Sequence, residues 1–253
     1  PKRDWSSDVC SSDLGVELPG QPFNISLGLP LADYALVHAA LNVLALAAGE
    51  IDFADASRVV RSPFIGGAER EFTRRARLDV ELRKRLPARV TLAGLTAASV
   101  GCPLLRERLE AVNAVARTHA RGKGTGGKRT ADEWARHFSA LLAAIGFAGE
   151  RTLDSAEFQT RAKFYETLSE FARLAHVAPR MSEREALARL RRLAADALFE
   201  PESSDAPVQI LGVLESAGLE FDGLWVSGLT DEAWPLAARP NPFIAVALQK
   251  KAG

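Results

Sequence analysis

Helical spacing of the apolar residues is the feature that most limits how this chain can fold. From Leu27 to about Phe199, apolar residues recur every three or four positions, the period that places them on one face of a helix. Capping residues and glycine or proline stops divide this region into successive segments. Since each apolar face needs a neighbour to cover it, the spacing predicts a bundle of helices over most of the chain.

The predicted helices differ in character. The segment from Asp33 to Ala48 is almost continuously apolar, which predicts a helix covered on most sides, capped by Asp33 and stopped by Gly49. Further helices are predicted at about 53–62, 69–86, 92–99, 103–119, 132–145, 154–175 and 182–199, the last opening with a capping box of Ser182 and Glu185. The helix at 69–86 is rich in arginine, and its packing face is assigned to Phe72, Ala76, Leu78 and Leu82.

A change of pattern after about residue 200 predicts a second kind of structure. Val208–Leu211 and Leu224–Val226 are short apolar runs, which are typical of buried parallel strands. We therefore expect a helix-dominated α/β protein, in which a helical domain at 15–200 is followed by an incomplete parallel-sheet piece at 201–253.

Residues 1–14 are set apart by their composition. The run from Arg3 to Leu14 is polar and rich in serine and aspartate, and it repeats Ser-Ser-Asp. It resembles a translated sequencing adapter, so it is excluded from the fold prediction, and neither Trp5 nor Cys10 is given a role. A natural disordered tail is the alternative.

Net charge alone does not identify a partner. Lysine plus arginine and aspartate plus glutamate both total 32, so binding of nucleic acid would depend on a local basic patch. The two cysteines form neither a disulfide framework nor a zinc-ligand set, which fits a reducing compartment. The longest apolar stretch, Ala35–Ala48, is shorter than the ~20 residues of a membrane helix. These features predict a cytoplasmic protein without a membrane partner.

A local basic patch is present in the thirteen residues from Arg117 to Arg129, named here the basic segment. Its candidate DNA-binding residues are Arg117, Arg121, Lys123, Lys128 and Arg129, and it contains no acidic residue. Basic loops bind the phosphate backbone without reading the bases. A solvated connector between two helices is the alternative interpretation.

Motifs for direct catalysis are incomplete in this sequence. Gly122–Lys128 matches the GxxxxGK pattern of a phosphate-binding loop, but Arg129 stands where a magnesium-ligating Ser or Thr is needed, and the segment follows a helix instead of a strand. The four histidines are far apart and fit no metal-binding spacing. We therefore assign no catalytic residue, no metal ligand and no cofactor to this chain.

The most specific motif lies near the C-terminal end. Residues 218–221, Gly-Leu-Glu-Phe, follow a predicted strand, and this stretch resembles the T-x-H-x-x-K-G-L-E-F element in the second RecA-like domain of superfamily 1 helicases of the UvrD and RecB kind. The resemblance places Gly218 and Glu220 near a nucleotide. Gly212, Leu214 and Ala217 stand where active helicases carry Thr, His and Lys, so the residues that couple the nucleotide to DNA are missing.

A narrower resemblance is to bacterial DNA-repair proteins similar to the AddB subunit, in which a degenerate helicase region precedes a PD-(D/E)xK nuclease domain. It is carried by residues 215–222 and 239–243, and Ser62–Gly67 is compatible with it. For the parent protein it implies ATP, a divalent metal, DNA and a partner helicase–nuclease subunit. No complete ATPase or nuclease site lies in these residues, so whether the parent is an active enzyme stays open.

Together these features favour an internal piece of a DNA-repair helicase–nuclease-like protein that guides DNA or serves as a scaffold. A helical protein-interaction module with no direct DNA contact is the alternative. Salt dependence of DNA binding separates the two, because only phosphate contacts weaken steeply with added salt.

Overall fold

The computed structural model describes residues 23–26, 28–120, 127–201, 207–213, 215–228, 230 and 243–252. The chain divides into two compact units, residues 1–212 and 213–253. The first unit is dominated by helices with small two-stranded sheets, which confirms the predicted helix-dominated α/β class at that level. The predicted division after residue 200 stays a prediction.

The helices lie close to the predicted positions. They are α1 (Ala35–Ala48), α2 (Phe53–Arg61), α3 (Phe72–Arg85), α4 (Leu92–Ala98), α5 (Pro103–Ala120), α6 (Ala131–Ile145), α7 (Ser155–Arg173), α8 (Glu183–Asp196) and, in the second unit, α9 (Val246–Ala252). Short 3-10 turns cover Leu31–Asp33, Ser99–Gly101 and Leu174–His176.

Helix α1 forms the centre of the bundle. Nine of its fourteen residues are buried, and it contacts α2, α5, α6, α7 and α8, so the predicted covering on most sides is confirmed. Gly49 ends the helix as predicted. The predicted cap is wrong, because Asp33 belongs to the preceding 3-10 turn and Tyr34 takes the capping position.

The predicted packing face of α3 is only half right. Leu78 and Leu82 are buried, but Phe72 is 75% exposed and Ala76 is also exposed. Arg75 and Asp79 take the inner positions instead, since each finds a buried polar partner there.

Helix α8 ends three residues earlier than predicted. Its Ser182–Glu185 capping box is confirmed, but the helix stops at Asp196. Leu198–Phe199 form strand β5, which pairs antiparallel with β2 (Leu29–Pro30). Backbone pairing with a distant strand therefore overrides the helical pattern at these positions.

Two further sheets complete the described strands of the first unit. Strand β3 (Glu50–Asp52) pairs antiparallel with β4 (Arg89–Thr91). Strand β1 (Phe23–Ile25) pairs in parallel with β6 (Val208–Ile210), which confirms a strand at the first predicted run. The side chains of Val208 and Ile210 are exposed, so burial of this strand is not seen.

The second predicted strand is wrong. Residues 224–226 adopt no strand, and Trp225 is 92% exposed. No described strand pairs with this run, and an apolar run becomes a buried strand only when a neighbour supplies hydrogen bonds and cover.

Aromatic side chains fill the core between α6 and α7. Phe138, Phe164 and Phe171 are fully buried, and the rings of Phe138 and Phe171 stack with centroids 6.1 Å apart.

Among the helices in the described part of the chain, none combines the length and the apolar character that crossing a bilayer requires.

Candidate nucleic-acid interface

The basic segment joins the end of α5 to the start of α6. Arg117 is exposed on the last turn of α5, and Lys128 and Arg129 immediately precede Thr130, the residue that caps α6. Arg121 and Lys123 lie outside the described residues. A phosphate-binding loop would connect a strand to a helix, whereas this segment connects two helices.

Backbone hydrogen bonds and a side-chain contact with an aromatic ring fix the position of Arg129. Its N–H donates to the carbonyl of Met181 over 2.9 Å, and its carbonyl accepts from the N–H of Met181 over 2.8 Å. Its guanidinium lies 5.8 Å from the centre of the Trp134 ring, within the range of a cation–π contact. This arginine is therefore held against the start of α6.

An open cleft of about 640 Å³ lies beside Arg129, between α5 and α6. Its lining residues are Ala114, Val115, Thr118, Arg129, Glu133, Arg136, His137 and Ala140. Arginine is a residue that proteins commonly direct at phosphate oxygens, and two arginines line the cleft, whereas the Thr118 hydroxyl already donates to the Ala114 carbonyl over 2.9 Å. The sequence reasoning missed Arg136, which lies outside the basic segment, and gave no role to Thr118, an uncharged residue within it.

Acidic side chains balance part of this positive charge. Asp132 pairs with Arg136 over 2.9 Å, and Glu133 lies 3.5 Å from Arg180. The side chain of Arg136 is 71% exposed, and such surface pairs contribute little to stability. A phosphate group could therefore replace the carboxylate partner of Arg136 at small cost.

The starts of α6 and α8 are both occupied by carboxylates of the chain itself. Hydrogen bonds from the backbone N–H and hydroxyl of Thr130 lower the pKa of Glu133. The same pair of groups on Ser182 lowers the pKa of Glu185, and the charge of Lys128 adds to that shift. These helix starts are therefore already neutralised, and arginine and lysine side chains remain as the candidate phosphate ligands.

These two glutamates predict a loss of stability in acid. Because their folded pKa values lie below the unfolded value of about 4.3, the unfolded chain binds more protons in this window. Their contribution is fully present above that pH and is lost as the pH falls through the folded pKa values. Urea unfolding at about pH 7, 4 and 3 measures how far the free energy of unfolding falls in acid. We expect a smaller fall in a Glu133→Gln/Glu185→Gln variant.

Exposed Glu170 supplies the control for this prediction. Its replacement by glutamine removes the same side-chain charge at a surface position of α7 that caps no helix start, so this variant is the reference against which the double variant is compared. Equal pH dependence in the double variant and the unmodified chain would show that the capping carboxylates do not govern acid stability.

A buried ion pair that the sequence did not single out anchors the start of α5. Glu71 accepts hydrogen bonds from the backbone N–H groups of Leu104 over 2.7 Å and Leu105 over 2.9 Å. Its carboxylate also lies 3.4 Å from Nε of Arg75, and both side chains are 2% exposed. Burial lowers the pKa of Arg75, and the charge of Glu71 opposes that shift. The spacing of four residues is visible in the sequence, but the sequence alone asserts no pairing between these two side chains.

Arg75 ties this pair to the loop at Ser62–Gly67. Its Nη2 donates to the Gly66 carbonyl over 2.6 Å, and the Gly66 N–H donates to the carbonyl of Ile145 at the end of α6 over 3.1 Å. Apart from Pro63 the loop is buried. Gly67 has φ +77° and lies so close to Leu104 that a Cβ would stand 2.7 Å from that side chain. The loop compatible with the family resemblance thus has a packing role here.

Gly218 and Glu220 lie in the second unit. Gly218 has φ +85°, a conformation that favours glycine, and a turn bond joins the Leu219 N–H to the Ser216 carbonyl over 3.2 Å. Glu220 is exposed. The turn accounts for the glycine, and proximity of these residues to a nucleotide stays a prediction.

Within the described ranges, no three His, Cys, Asp or Glu side chains come together in a way that could hold a metal ion.

Comparison with protein-family models, with curated proteins and with solved structures finds no match to this chain.

Proposed function

We propose that this chain is a DNA-guiding part of a DNA-repair helicase–nuclease-like protein, acting without a catalytic site of its own. The observation that carries the proposal is the presence of Arg129 and Arg136 in the α5–α6 cleft, with exposed Arg117 and Lys128 next in sequence to two residues that line it. Such a surface suits the sugar-phosphate backbone, because its cations contact phosphates whatever the base sequence. ATP hydrolysis and strand cleavage would belong to other parts of the parent protein.

Parallel pairing of β1 with β6 supports the finer fold proposal. Parallel strands occur almost only in larger α/β sheets that are covered on both faces, and here Phe23 of β1 and the side chains of β6 are exposed. The helical body from Leu31 to Phe199 lies between these two strands in the sequence. We infer that it is inserted into a parallel sheet of RecA-like type, with the Gly218–Phe221 motif following the second strand.

A salt series with fluorescent single-stranded and duplex DNA tests the DNA proposal. We expect binding that weakens between about 50 and 200 mM salt, with a log–log slope of roughly −0.9 for each phosphate contact. In an Arg117→Ala/Lys123→Ala/Lys128→Ala variant, the slope should become shallower by up to about 2.7. Arg129 is left intact, because its packing on Trp134 would mix a folding effect with a binding effect.

A matched control removes the same charge elsewhere. Arg173, Arg191 and Arg192 are exposed on α7 and α8, and their replacement by alanine should leave the salt slope unchanged. An equal loss in both variants would mean that net charge, and not the basic segment, determines binding. Absence of DNA binding at low salt, with the chain shown to be folded, would favour the helical interaction module instead.

A further inference from the structure

Helix α3 carries an apolar stripe that faces away from the bundle. Phe72, Ala76 and Val80 are spaced four residues apart, which places them along one side of the helix, and all three are exposed. The stripe spans about 12 Å, or roughly two helical turns. Val100, in the 3-10 turn that contacts α3, is also exposed. The α3 stripe is defined here as Phe72, Ala76 and Val80.

The fold prevents this stripe from turning inward. The inner face of α3 holds two buried charges, Arg75 and Asp79. Arg75 is bound by Glu71 and Gly66, while Asp79 accepts a hydrogen bond from the Ser57 hydroxyl at 2.5 Å. Rotation of α3 to bury Phe72 would separate these partners, and a buried charge without its partner is strongly destabilising. Exposure of the stripe is therefore a property of the folded chain.

The charged surface of α3 is strongly basic, in contrast to the balanced chain. Its exposed charged residues are Arg74, Arg77, Glu81, Arg83, Lys84 and Arg85, five basic and one acidic. Helical geometry puts Arg77 and Lys84 along the edge of the stripe beside Val80. Glu81 pairs with Lys84 over 3.9 Å and with Arg85 over 3.4 Å, so one carboxylate offsets part of this charge. A ligand that covers the stripe therefore meets apolar side chains and, next to them, a net positive charge.

We propose that the α3 stripe is the docking surface for an acidic amphipathic helix of a partner protein. Ala76 leaves a notch between Phe72 and Val80 into which an apolar side chain of the partner helix packs, as ridges pack into grooves. Carboxylates on the flank of the partner helix face Arg77 and Lys84. The aliphatic side chains of Ala76 and Val80 beside Phe72 provide no face on which bases stack, so the stripe as a whole favours a protein ligand over nucleic acid. This surface is independent of the proposed DNA interface.

Three fluorescent stapled peptides of about 16 residues, a length that can hold a helix, test this proposal. They share one leucine face, and their flanks carry glutamate, lysine or glutamine. Binding to the full chain is measured by fluorescence polarisation. The glutamate peptide should bind at least about tenfold more tightly than the lysine peptide, and a Phe72→Ser/Val80→Ser variant should lose about tenfold or more of that affinity.

A charge-swap variant separates specific docking from nonspecific adhesion. In Arg77→Glu/Lys84→Glu the preference should reverse, so that the lysine peptide binds more tightly than the glutamate peptide. Circular dichroism checks that both variants, which alter exposed residues only, remain folded. The proposal is overturned if the glutamate peptide fails to bind, or if the serine variant binds it as tightly as the unmodified chain. Phe72-dependent binding of anionic lipid vesicles or duplex DNA, without peptide binding, would also overturn it.

Discussion

Replacing Glu71 by alanine is expected to lower the free energy of unfolding by about 3–5 kcal/mol. The substitution leaves the Arg75 guanidinium buried without its counter-ion and removes the acceptor for two N–H groups at the start of α5. Each of these groups would have to stay unsatisfied in the interior or draw in water. Urea unfolding followed by circular dichroism at neutral pH measures the loss.

Two comparisons make this prediction specific. Glu69 is an exposed glutamate close by, and its replacement by alanine should change the free energy of unfolding by no more than about 0.5 kcal/mol. A Glu71→Leu/Arg75→Met double variant should recover part of the loss, because removing both charges costs less than removing one. If Glu71→Ala were no more destabilising than Glu69→Ala, the buried pair would contribute nothing to stability.

This ion pair also shows where sequence reasoning reaches its limit. A Glu–Arg spacing of four residues predicts adjacent side chains on a helical turn, and Glu71 and Arg75 are indeed adjacent. Their burial depends on the loop at Ser62–Gly67 folding against α5 and α6, a contact between distant parts of the chain. Local periodicity contains no information about such a contact.

Helix positions were predictable because the signals that set them are local. The capping box at Ser182 and the apolar residues along α1 act within a few residues of the chain. The structure confirms the helix that each of them predicts. The errors arise where a distant partner decides the outcome. Leu198–Phe199 leave the helical pattern because β2 pairs with them, and residues 224–226 form no strand because no described strand pairs with them.

The candidate interface was predictable in part for the same reason. A run without acids identified Arg117, Lys128 and Arg129 directly from the sequence. The partner that orders Arg129 is Met181, more than fifty residues away, and the cleft that adds Arg136 exists only because α5 packs on α6. Charge runs therefore locate such a surface, and tertiary packing determines its shape.

Replacing Trp134 by alanine is expected to destabilise the chain by about 3–5 kcal/mol. The side chain is 3% exposed, and its ring packs on Phe138 with centroids 6.0 Å apart. Its Nε1 donates to the Met181 carbonyl over 2.9 Å, so the residue joins α6 to the segment that leads into α8. Alanine would leave a large cavity between these elements and would remove the ring that supports Arg129.

A Trp134→Phe variant separates the ring from its hydrogen bond. The Met181 carbonyl also accepts from the Arg129 N–H, so this carbonyl stays paired when the indole donor is lost. We therefore expect the missing hydrogen bond to lower the free energy of unfolding by only about 1 kcal/mol. The loss of packing should be smaller with phenylalanine than with alanine. Denaturant unfolding of both variants provides the comparison. Equal destabilisation by phenylalanine and alanine would mean that the hydrogen bond to Met181, and not the packing of the ring, fixes α6 beside the basic segment.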